Sequence, residues 1–196
     1  LVVIEPVVKI NFIVRFVVIR MIELLEQLNR ITEKFDPDEY LEGPDDAEAI
    51  RRRIDKSKLI DNGDGTYDYD GNLNLSEMGL SSLEDLPYKI RRVRGDFYCF
   101  YNNLTTLKGV PKEVGGNFYC QRNNLTSLEG APEKVGGSFY CSNNNLTTLK
   151  GAPKEVGGSF NCSENKLTTL EGAPEKVGGY FYCERNNLTS LEGAPK

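Results

Sequence analysis

Five cysteines stand at Cys99, Cys120, Cys141, Cys162 and Cys183, each 21 residues after the last. Evenly spaced thiols raise two kinds of chemistry, metal ligation and nucleophilic attack. Zinc wants about four ligands converging tetrahedrally on one point. A nucleophilic thiol wants a neighbour that lowers its pKa. The letters around the cysteines supply neither. The chain also has no histidine, which removes the commonest metal ligand and the commonest general base. An odd number of cysteines suits no paired disulfide framework and favours a reducing, intracellular setting. We therefore expect no metal, no cofactor and no catalytic centre, and read the thiols as small buried apolar groups.

Two further motifs invite a chemical reading. "DNGDGTYDYD", residues 61–70, resembles an acidic calcium loop, yet the ligand positions 3 and 5 fall on Gly63 and Gly65 and no glutamate closes the loop. A hairpin with an Asp-Gly turn explains it better. "N-L-T" forms glycosylation sequons at Asn103, Asn124, Asn145 and Asn187. No signal-peptide pattern precedes them, and they are expected to be unused.

What must position these residues is a repeat. Phe97, Phe118, Phe139, Phe160 and Phe181 keep the 21-residue step, as do Asn102, Asn123, Asn144, Asn165 and Asn186 and the leucines from Leu104 to Leu188. A fixed period of this size signals a solenoid whose units bury their apolar sides against each other. Within a unit, Phe118, Tyr119 and Cys120 alternate as a short strand would, with Phe and Cys inward and Tyr outward. Equivalent residues then form parallel rows, about 4.8 Å apart. A line of thiols cannot wrap one ion.

The unit F-x-C-x-x-N-x-L-x-x-L resembles the leucine-rich repeat L-x-x-L-x-L-x-x-N-x-L, with Phe and Cys in place of two strand leucines. The resemblance implies that the asparagine amide sits inside the bend after the strand and satisfies backbone groups there. Cysteine and asparagine rows are thus structural ladders. One departure is that Gly115, Gly136, Gly157 and Gly178 occupy the family's first leucine position, with Val114, Val135, Val156 and Val177 one place earlier. We expect a Gly-Gly turn of positive φ leading into each strand. The return segment, "LEGAPEKVGG", is too short for an ordinary helix and should be extended or turn-rich. The unit is most similar to short repeats of bacterial secreted effectors and to repeat proteins of bacteriophages and large viruses.

The expected fold is mainly β: a leucine-rich-repeat-like solenoid with an N-terminal β-hairpin cap and a small helical N-terminal segment. Regular repeats occupy residues 95–196. Residues 58–94 hold the hairpin and a degenerate unit, in which Leu73, Leu75, Met78, Leu80 and Leu83 replace Phe, Cys, Asn, Leu and Leu, a step of 24 before the next. Residues 21–57 hold an amphipathic helix at 21–35, a linker, and a second helix from about Asp45 through "AEAIRRRIDK". Residues 1–20 are apolar but interrupted by Glu5, Pro6, Lys9, Asn11 and Arg15, a poor match to a membrane span or signal peptide. We expect translation to start at Met21, and the stop inside a repeat suggests an incomplete reading frame.

For function, the outward tyrosines are the strongest lead. Tyr98, Tyr119, Tyr140 and Tyr182 line one sheet face, broken by Asn161 and flanked by Phe100, Gln121, Arg122, Ser142, Tyr180 and Glu184. Such a stripe can stabilise the sheet or bind a partner with large amphipathic contacts. Phe100 and Tyr180 differ from their equivalents in other units, which points to recognition. We expect a non-catalytic protein-binding module acting through the concave face. The resemblance implies a host protein partner in the bacterial cytoplasm. One alternative is the targeting part of an effector whose ligase domain would follow Lys196; another is a surface or virion adhesin. A net charge of −5, with ten acidic and ten basic residues from Gly95 on, argues against nucleic acid. Membrane contact would require residues 1–20 to be genuine.

Overall fold

A computed structural model of the protein describes residues 46–195. The apolar segment 1–20, the helix expected at 21–35 and the linker after it lie outside the described residues. Each 21-residue unit forms one turn of a parallel β-solenoid, and each turn gives a two-residue strand to each of two sheets. The first sheet stacks β3 (Leu73–Asn74), β5 (Phe97–Tyr98), β7 (Phe118–Tyr119), β9 (Phe139–Tyr140), β11 (Phe160–Asn161) and β13 (Phe181–Tyr182). Phenylalanine pairs with phenylalanine in register. The degenerate unit obeys the same register, Leu73 opposite Phe97.

The return segments build the second sheet. Its parallel strands are β4 (Ile90–Val93), β6 (Glu113–Val114), β8 (Lys134–Val135), β10 (Glu155–Val156) and β12 (Lys176–Val177). The valines that depart from the leucine-rich pattern are the inward residues of this sheet, nearly all buried. On its outer face lysine and glutamate exchange places from one unit to the next. They meet as Lys112–Glu133 at 3.3 Å, Lys134–Glu113 at 3.6 Å, Lys154–Glu175 at 3.7 Å and Lys176–Glu155 at 2.7 Å. Alternation keeps like charges from facing each other across strands.

The expected hairpin is present. β1 (Leu59–Asp61) and β2 (Tyr67–Tyr69) pair antiparallel, and β2 then runs parallel to β4, so the hairpin ends the second sheet. Its turn uses Gly63 and Gly65 at positive φ. Asp61 Oδ1 accepts from the Gly63 amide at 2.8 Å, and Asp64 Oδ1 accepts from the Thr66 amide at 2.9 Å. Asp68, buried on β2, takes a two-pronged bond from Arg91 on β4. Burial pushes its carboxyl up, but the bonds from Asn62 and Arg91 outweigh that and hold it below the usual carboxylate range.

Helix α1 (Asp46–Arg53) stops short of the end expected for it. Asp55 then caps a 3-10 turn (Lys56–Lys58) by accepting from the Ser57 amide at 3.0 Å. Asp is a strong cap, and its side chain competes with continued helix. Ile50 and Ile54 join the same buried core as Tyr69 and Leu73, so α1 docks on the solenoid core.

That core is a set of rows between the two sheets: Phe, Cys, two Leu and Val from each regular unit. Ring centroids of Phe97, Phe118, Phe139, Phe160 and Phe181 follow one another at 5.7, 4.9, 5.2 and 5.6 Å. In the last turn Phe181, Cys183 and Leu188 are half-buried and Leu191 is 68% exposed.

The Gly-Gly expectation needs correction. Neither glycine of the doublets has positive φ. They are glycines because successive turns approach too closely for a side chain: a Cβ on Gly136 would run into the carbonyl oxygen of Gly115. Positive φ falls instead at the glycine before the alanine-proline, for example Gly151 at +93°.

Candidate binding face

The outer face of the first sheet is built by strand alternation, which turns Phe and Cys inward and Tyr outward. Register between turns then stacks the tyrosines. Tyr98 on Tyr119 and Tyr119 on Tyr140 lie at centroid distances of 4.8 and 4.9 Å with rings parallel to within 2° and 3°. Their faces cover each other, leaving ring edges and hydroxyls toward solvent. Tyr98 donates to Asp96 at 2.8 Å, and that bond, then burial, pushes its phenol up to about 12. Burial also raises Tyr119.

Asn161 pairs in register with Tyr140 on one side and Tyr182 on the other, so the stack ends at Tyr140. Tyr182 leans against Tyr180 at 5.9 Å, and Tyr180 is 72% exposed. Phe100 sets its edge against Tyr98 at 6.2 Å and against Tyr101 at 5.8 Å. Arg122 places its guanidinium carbon 4.7 Å from the centre of the Tyr101 ring. Gln121 and Ser142 are half-buried and Glu184 is exposed. The Gln121 carbonyl oxygen is shielded from solvent and has no hydrogen-bond partner. The named residues therefore fall into two groups, a central stack and a bend row beside it.

Two features escaped the sequence reading. The first is a polar ladder just before each phenylalanine. Asp96 Oδ1 accepts from the Asn117 amide at 2.6 Å, Asn117 Oδ1 from the Ser138 amide at 2.7 Å, Ser138 Oγ from the Ser159 amide at 2.9 Å, and Ser159 Oγ from the Tyr180 amide at 3.0 Å. Each of these side chains holds the next turn. Their shared signal was a short side chain with an acceptor oxygen, kept until Tyr180. The second is the residue two places after each cysteine, and after Leu75 in the degenerate unit. Glu77, Tyr101, Arg122, Asn143, Glu164 and Arg185 all have φ between 52° and 59°.

The asparagine row does what the bend requires, and it reaches across turns. Asn144 Oδ1 accepts from the Leu125 amide of the preceding turn at 3.1 Å, while its Nδ2 donates to the carbonyls of Cys120 and Cys141, both at 3.1 Å. Asn123, Asn165 and Asn186 repeat the pattern. The degenerate unit has Met78 where the amide should be. Asn102 supplies it from the next turn, accepting from the Met78 and Leu80 amides, both at 3.0 Å.

The cysteines form the expected line. Cys99, Cys120, Cys141 and Cys162 are buried and Cys183 is partly exposed, all as free thiols. Three of them donate weakly to carbonyls of the next turn: Cys120 to Tyr140 at 3.4 Å, Cys141 to Asn161 and Cys162 to Tyr182 at 3.3 Å. Burial pushes every one of these thiols up, Cys162 to about 12. That is the reverse of what a nucleophile needs. Among the described residues no three Cys, Asp or Glu side chains converge as metal ligands, and no helix is long and apolar enough to cross a membrane.

Comparison with known proteins finds no matching family model, no matching curated protein and no matching solved structure. The class of protein is therefore set by the fold, a parallel β-solenoid of 21-residue turns.

Proposed function

We propose that the protein is a non-catalytic binding module that takes a protein partner on the outer face of its tyrosine sheet. The observation that supports this most is where the sequence varies. Core, glycine, asparagine and cysteine rows repeat unit after unit, whereas the tyrosine column is broken at Asn161 and the bend row beside it changes from turn to turn. Solenoids present such extended faces to partners, and tyrosine gives large contact area at low entropic cost. The buried, high-pKa thiols support a structural role for the cysteines. The spacing likeness to leucine-rich repeats, including those of phages and bacterial effectors, supports a host protein in the bacterial cytoplasm as the partner.

The test is affinity capture with the full chain, followed by titration of the captured partner against Tyr98→Ala, Tyr119→Ala and Tyr140→Ala chains that remain folded. Binding should weaken by an order of magnitude or more for the central residues. Unchanged affinity in all three would rule the face out.

A further inference from the structure

Resting on that reading, we infer that specificity resides in the bend row, and that Arg122 on Tyr101 is a seat for a carboxylate side chain of the partner polypeptide. The argument begins with backbone strain. Glu77, Tyr101, Arg122, Asn143, Glu164 and Arg185 are held in the left-handed region, φ 52° to 59°. Side chains other than glycine, asparagine and aspartate adopt it at a cost. The repeat has cheap solutions and uses them elsewhere: glycine takes the positive-φ position before each alanine-proline or valine-proline. In the bend row only Asn143 suits its conformation. Five other side chains, two Glu, two Arg and one Tyr, stand there in spite of the backbone, and no two successive turns carry the same one. Strain retained at variable outward positions marks a functional surface.

Geometry then selects one place on the row. Arg122 and Arg185 occupy equivalent positions, but their neighbours differ. Arg185 meets Glu164 of the preceding turn at 3.0 Å. Arg122 meets Tyr101 instead, over its ring at 4.7 Å, and has no carboxylate partner among the described residues. Tyr101 is 49% exposed, with Phe100 packed edge-on beside it. A guanidinium resting on an aromatic face keeps its N–H fork free and oriented, and that fork matches a carboxylate. Phe100 and Tyr101 add an apolar shelf next to it. The fitting ligand is an extended peptide with a carboxylate beside an apolar side chain. A polyanion such as RNA fits less well, because Glu77 and Glu164 stand on the same row.

The experiment selects a display library of random twelve-residue peptides on the full chain. Enriched peptides are resynthesised with Asp or Glu changed to Asn or Gln, and both forms are titrated against the wild-type, Arg122→Gln and Arg122→Asn chains. A single-stranded RNA oligonucleotide is titrated alongside. We expect the enriched peptides to carry a carboxylate, at least a tenfold loss of affinity for the amide forms, and loss of that difference in both variants. Arg122→Asn should also hold or raise the unfolding midpoint, since asparagine accepts the left-handed bend. A lowered midpoint in Arg122→Asn, carboxylate preference that survives both variants, or RNA binding in place of peptide binding would each overturn the inference. Enriched peptides that depend on Tyr119 and ignore Arg122 would overturn it while leaving the binding reading intact. Failure to enrich any peptide would count against both.

Discussion

The two sheets of the solenoid come from the same turns and share one core, yet their outer faces solve the problem of repetition differently. Stacking identical units places identical side chains about 4.8 Å apart, which is harmful for charges and useful for rings. The valine sheet swaps lysine and glutamate in alternate units, so its surface charges satisfy one another. The tyrosine sheet keeps the same ring in three successive turns and lets the rings stack. One face is closed electrostatically. The other fixes its register with aromatic contacts and asparagine bonds, which leaves the bend row free to vary.

That contrast can be tested by graded substitutions. The largest effect should come from the core both faces share. Phe139→Ala, between Phe118 and Phe160, should cost about 3–5 kcal/mol in denaturant unfolding. Next comes the bend under the tyrosine face. Asn144→Ala leaves the Leu125 amide without its partner and takes one of two amide donors from each of the Cys120 and Cys141 carbonyls, and should cost about 1–3 kcal/mol. Hydrogen exchange should quicken in its own turn and in the turn before it, because the amide bonds both. Tyr119→Ala removes two stacked contacts and should cost roughly 1–2 kcal/mol. Lys134→Ala on the other face should cost less, and its effect should fade as salt rises. If Lys134→Ala proved the more damaging, the division of labour between the faces would be wrong.

The smallest effects are spectroscopic. A phenol held up to about 12 by Asp96 stays neutral past its ordinary titration. Its stabilising bond is therefore present below pH ~10 and lost as pH rises through about 12. Ultraviolet titration of the folded chain should show a late phenol that Tyr98→Phe removes. In the same samples at pH 8, Cys183 should react with a thiol reagent before the other four, which should react only on unfolding.

Much of the scaffold was legible because the rows that matter are written as identical letters 21 apart. Phe139, Cys141, Leu146 and Leu149 could be placed inward from alternation and spacing, and Asn144 in the bend from the resemblance to leucine-rich repeats. The second sheet was not legible as a sheet. Its strands are two residues long, and "EV" or "KV" is too short to show a period. The doublet Gly136-Gly137 was misread for a different reason. Glycine serves both unusual φ and close approach, and one sequence does not say which. The roles of Ser138 and Ser159 were not legible, because a hydrogen bond from an amide 21 residues away leaves no local trace.

Periodicity and composition alone required stacked turns with buried phenylalanine and cysteine rows, and the resemblance to leucine-rich repeats added a bend built on asparagine. The cause is that in-register stacking maps equal letters onto neighbouring atoms whatever the detailed path of the chain. Which outward residues hold the next turn and which are left to face a partner depended on the folded backbone. The left-handed bend at Arg122 and the closeness of Gly115 to Gly136 exist only once turns rest on each other, so no stretch of sequence carries them in advance.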